Sequence, residues 1–75
     1  MKKLTIYECH SLGDRSPLGM ADTLVGAAAF VAAYATAAGW QIAFWGIDPD
    51  HEDCADAILK KDGVTRIFCA EPNSF

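Results

Sequence analysis

Asp48-Pro49-Asp50-His51-Glu52-Asp53-Cys54-Ala55-Asp56 places five carboxylates in nine residues with no Lys or Arg among them. The fold turns on whether this run opens a helix. Asp48 suits an N-cap, and Pro49 suits the first helical position, where a missing N–H costs nothing. Asp50, Glu52 and Asp53 would then meet the positive end of the helix dipole, and Lys60 and Lys61 the negative end. Gly63 follows as a stop, and Cys54, Ala55, Ile58 and Leu59 recur at helical spacing as an apolar stripe. These signals predict a helix from Asp48 to about Lys61.

On its N-terminal side lies Gln41 to Ile47, nearly continuous in apolar residues, which predicts a strand buried on both faces of a parallel sheet. On its C-terminal side Val64 to Ala70 reads as another strand, ended by Pro72. Near the N-terminus Leu4 to Cys9 alternates as a first strand, and His10 to Met20 reads as a loop carrying Gly13, Pro17 and Gly19. An Ala-rich helix follows from about Ala21 to Ala38, capped by Asp22 or entered through Ser16-Pro17, with Gly39 closing it. Leu24, Phe30, Val31 and Tyr34 share one side of that helix. Gly26, Ala29, Ala33 and Thr36 share the smooth opposite side, which suits either solvent or close packing on a second chain.

The predicted order is β-α-β-α-β in a single α/β domain over residues 1–75. Right-handed crossovers give a three-stranded parallel sheet of order 1-2-3 with both helices on one face; order 2-1-3 would split the helices between faces. With Leu4, Ile6, Ile42, Phe44, Ile67 and Cys69 turned to the helices, Tyr7, Trp45 and Phe68 form an uncovered aromatic face. Such a face is a contact surface, for a homodimer or another partner. A register slip of one residue would exchange the two faces.

Ten acids against six bases leave a formal charge of −4, which argues against direct nucleic-acid binding and fits a basic protein partner. Cys9, Cys54 and Cys69 are odd in number and make no CxxC, so a reducing, cytoplasmic setting is expected rather than a disulfide framework. Residues 23–47 carry no charge, yet the segment is mostly Ala and is broken by Gly39, short of a membrane span.

Ile47 to Asn73, with Asp48-Pro49-Asp50 after a strand and Gly63-Val64-Thr65-Arg66-Ile67-Phe68-Cys69-Ala70-Glu71 beyond, resembles part of an electron transfer flavoprotein-type domain. The resemblance implies a Rossmann-like unit. That family's fuller sheet and separate flavin-binding region exceed 75 residues, so no cofactor is expected. No GxGxxG or GxxxxGK[ST] pattern occurs. Cys9, His10, His51 and Cys54 follow no zinc spacing, and their Cys–His pairings carry no catalytic signature, so neither a metal site nor an enzyme is expected.

In size, acidity and lack of a catalytic motif the chain resembles phage-encoded inhibitors of the anti-CRISPR type. The likeness implies a non-enzymatic DNA mimic that blocks nucleic-acid-handling machinery. Asp48, Asp50, Glu52, Asp53 and Asp56 would meet the basic partner, and Tyr7, Trp45 and Phe68 would supply apolar contact. A solvated helix face is the plain alternative for the acids. A truncated flavoprotein-like nucleotide-binding module and a dimeric structural protein are the competing functions.

Overall fold

A computed structural model describes residues 3–11 and 13–73, which form five strands and one helix. They are β1 (Leu4–Ser11), β2 (Asp14–Ala21), α1 (Leu24–Ala38), β3 (Gln41–Asp48), β4 (His51–Lys61) and β5 (Val64–Pro72). The strands make one sheet of order β2-β1-β5-β4-β3, and every neighbouring pair is antiparallel. This overturns the three-stranded parallel α/β unit and the Rossmann-like reading. The expected strands at Leu4–Cys9, Gln41–Ile47 and Val64–Ala70 are present, but the second helix does not exist and the expected loop from His10 to Met20 is mostly strand.

The acidic run is the N-terminal part of β4. Its residues satisfy two periods at once. Ala55, Ile58 and Leu59 match helical spacing, while Ala55, Ala57 and Leu59 match strand spacing and are the ones buried, at 0%, 1% and 0% exposure. Turn chemistry at both ends decides between them. Asp48 pairs with His51 across the β3–β4 turn, and the Asp48 side chain accepts from the Asp50 N–H at 2.8 Å, an Asx turn where an N-cap was expected. At the other end Asp62 (φ 49°) and Gly63 (φ 80°) join the paired Lys61 and Val64 in a two-residue hairpin, for which Asp-Gly is a strong signal.

The placement of β3 is also corrected. It is an edge strand rather than the centre, with Ile42, Phe44 and Ile47 each 43–55% exposed. The connections explain this. Helix α1 carries the chain across the sheet from one edge, β2, to the other, β3, and the two following hairpins return it inward until β5 lies beside β1. The opposite edge, β2, tolerates Pro17, whose missing N–H would interrupt a central ladder.

Helix α1 starts at Thr23, not Asp22: the Thr23 hydroxyl accepts from the Gly26 N–H at 3.0 Å. It ends as expected at Gly39 in the left-handed region (φ 80°). Ala27, Val31 and Ala35, one turn apart, lie buried on Leu4, Ile6, Ala57, Leu59, Phe68 and Ala70. Leu24, Phe30 and Tyr34 pack beside them, so the bulky side of the helix is the buried one, and small Ala side chains let the helix settle closely on the sheet. No helix among the described residues is long and apolar enough to cross a membrane.

Candidate interaction face

The helix covers one face of the sheet, and strand alternation sends the intervening residues to the other. Tyr7 pairs with Cys69, Cys69 with Asp56, and Asp56 with Gly46 along one row of that second face. Cys9, Ile67, Ile58 and Phe44 pair along the next row. Ile67 and Phe44 are half exposed, at 50% and 51%, and Met20 on the β2 edge is 53% exposed. Tyr7, Ile67, Ile58 and Phe44 therefore make an apolar band along an uncovered sheet face.

An acidic corner adjoins the band. Asp48, His51, Cys54, Asp56 and Glu71 line one shallow hollow at the β3–β4 turn end. Burial, then Asp53, and more weakly Glu71 and Asp48, push the Cys54 thiol up, as expected for a sulfur held among carboxylates. His51 Nδ1 stands 3.7 Å from Asp48 Oδ2. A cation adjoins the hollow: Arg15 lies 4.1 Å above the Tyr7 ring and donates to Glu71 at 2.7 Å, reaching over β1 from β2 to β5. Both partners of that pair are about 40% exposed, so it adds little stability.

The five carboxylates expected to act together do not share one face. Asp48 and Asp56 lie in the hollow, Asp50 is exposed in the turn that the Asp48 side chain caps, and Glu52 is exposed on β4. Asp53 lies on the helix side, with Asp22, Thr23 and Leu24 around a second depression. Glu71, which the sequence alone does not single out, joins Asp56 because β5 pairs with β4.

The expected aromatic trio is also divided. Tyr7 is on the uncovered face, but Phe68 is 1% exposed beneath Tyr34 (ring centroids 5.4 Å apart), and Trp45 packs against the core. The register expected from sequence is one residue off in β5 and, in β3, from Phe44 onward. Ile42 lies on the helix side opposite Leu59 as expected, but a break in pairing between Ile42 and Phe44 turns Phe44 outward and Trp45 inward. Only the identity of the partner strands reveals that.

On the covered face Glu8 is buried, at 8% exposure, and accepts from Arg66 at 2.6 Å and from the Tyr34 hydroxyl at 3.2 Å. Burial, then Glu8, raises the Tyr34 pKa above its ordinary value. His10 bonds Ser16 at 3.0 Å and stands 3.6 Å from the same Glu8 oxygen, but that carboxylate is held by the guanidinium and does not orient the imidazole. Cys9 and His10, neighbours in sequence, point to opposite faces. No three His, Cys, Asp or Glu side chains among the described residues are placed to hold one metal ion together.

No protein-family model matches the chain, no curated protein matches it, and no solved structure does.

Proposed function

We propose that the chain is a non-enzymatic binding protein and that the uncovered sheet face is its working surface. The observation that carries this is an exposed apolar band, with Ile67 and Phe44 each about half exposed, running beside the carboxylates Asp48, Asp56 and Glu71. Apolar area supplies affinity, and clustered carboxylates steer and select a basic partner. The partner class is a Lys/Arg-rich protein surface of nucleic-acid-handling machinery, which the protein would block by competing with phosphate, as a phage-type inhibitor would.

The test is displacement of labelled duplex DNA from purified basic nucleic-acid-binding proteins, read by anisotropy at several salt concentrations. The wild type should displace DNA from a subset of them, less so as salt rises, and a double variant Asp56→Lys, Glu71→Lys should lose the effect. Displacement undiminished by that double reversal sinks the reading.

A second copy is the alternative occupant, favoured by the outward Ile67 and Phe44 side chains. Light scattering across a concentration series decides it: a dimer that Ile67→Glu converts to monomer supports self-association, and a monomer at all concentrations excludes it.

A further inference from the structure

Cys9 and Cys69 come from strands that lie side by side in the centre of the sheet, and their sulfurs stand 3.4 Å apart, although 60 residues separate them in sequence. Cys69 is opposite Tyr7 and Cys9 is opposite Ile67, so the two thiols form a diagonal pair on the uncovered face. Both are partly exposed and free. Nothing in the packing requires two thiols here, since the core lies on the other face.

We propose that Cys9 and Cys69 are a peroxide-sensitive thiol pair that closes to an intramolecular disulfide and staples β1 to β5. The sulfurs, already in contact at 3.4 Å, must close by about 1.4 Å to reach an S–S bond, and because a diagonal pair is set wider than a directly opposed one, β1 and β5 draw together locally as the bond forms. Burial, with the hydrogen bond to Cys9 next, pushes the Cys69 thiol up to about 12. Burial favours the protonated form of Cys69, and we assign Cys9 as the attacking sulfur.

The oxidant is a hydroperoxide. The Cys9 thiolate attacks the peroxide oxygen; the O–O bond breaks, an S–O bond forms, and the leaving oxygen departs as alcohol or water. Cys69 sulfur then attacks the Cys9 sulfenic acid, forming S–S as S–O breaks, and the departing hydroxide takes the Cys69 proton as water. Two thiols give up two electrons and one peroxide accepts them. Arg15, whose positive charge favours the Cys69 thiolate, assists this second step. Cys54 is the internal control: it lies in the neighbouring hollow, where burial and nearby carboxylates disfavour its thiolate.

The test is hydrogen peroxide treatment of the native full chain, followed by thiol counting and peptide mapping. Titratable thiols should fall from three to one, with the mass lower by two hydrogen atoms and a Cys9–Cys69 linkage in the map. The melting temperature should rise, and dithiothreitol should reverse every change, because the cross-link constrains a long stretch of the unfolded chain. Cys54→Ser should form the same Cys9–Cys69 linkage, its two thiols falling to none. Cys69→Ser should stop at a Cys9 sulfenic acid that takes up dimedone. Three free thiols after oxidation, a linkage through Cys54, or dimedone on Cys69 in Cys9→Ser would each overturn the proposal.

Discussion

The two faces of the sheet are built from alternate residues of the same strands, yet they are different surfaces. Phe68 is 1% exposed beneath α1, and its neighbour Ile67 is 50% exposed on the other side. The buried part of the covered face is apolar apart from Glu8, which is paired with Arg66 and hydrogen-bonded by Tyr34. The open face mixes an apolar band, two touching thiols and carboxylates. One helix can cover only one side of a five-stranded sheet, so stability is concentrated on the covered face and the other is left for contacts.

The largest test of that contrast is truncation of adjacent residues. Phe68→Ala should cost about 3–5 kcal/mol in urea unfolding through the lost burial and the cavity left behind. Ile67→Ala should cost below about 1 kcal/mol, since half of its surface already faces solvent. Equal losses would mean that the open face is buried in solution, as a tight dimer would bury it.

A subtler pair asks how rigid each face is. A Cβ added at Gly19 would lie 2.6 Å from the Phe30 ring, and one at Gly46 would lie 2.5 Å from the Phe44 ring. Phe30 is packed against the core, so Gly19→Ala should destabilise by about 1–3 kcal/mol through overpacking. Phe44 is half exposed and can swing away, so Gly46→Ala should change stability by less than about 0.5 kcal/mol. A reversed order in melting experiments would show that the edge strand β3 is held more firmly than its exposure indicates.

The hairpin that joins β4 to β5 aligns both faces, and Gly63 has φ 80° with open space where a methyl group would sit. Gly63→Ala should therefore cost about 1 kcal/mol from backbone strain alone. A neutral or stabilising effect in a melting experiment would show that Gly63 does not hold a left-handed backbone in solution.

The smallest expected effect is a pH dependence. The folded state raises the Cys69 pKa to about 12, so it favours the thiol over the thiolate relative to the unfolded chain. That contribution is fully present below the ordinary thiol range and is lost as pH rises toward about 12. Cys69→Ser should flatten the alkaline part of the stability profile. A profile unchanged by the substitution would mean that Cys69 is better solvated than its place beside Cys9 implies.

Much of the local structure was legible in the residues. The alternation of Leu4 to Cys9, the closure of α1 at Gly39 and the bulky side of α1 formed by Leu24, Phe30, Val31 and Tyr34 all follow from local backbone and side-chain chemistry. The β4 segment was ambiguous because its apolar residues fit both periods and its acids resemble a helix start, while Asp62-Gly63, the signal that settles it, reads equally as a helix stop. Of the site, Tyr7, Asp48 and Asp56 could be named in advance as surface residues. Glu71, Ile67 and Phe44 could not, because what each faces depends on partner strands distant in sequence.

By itself the sequence determined an acidic chain with one Ala-rich helix and strands at Leu4, Gln41 and Val64, because caps, turns and periodicity act over a few residues. Only the tertiary structure decided that β4 is a strand, that β3 is an edge, and which side of each strand meets the helix. The physical reason is that side chains alternate at every residue along a strand. A register shift of one, set by hairpins and long-range pairing, is enough to exchange the core with the surface.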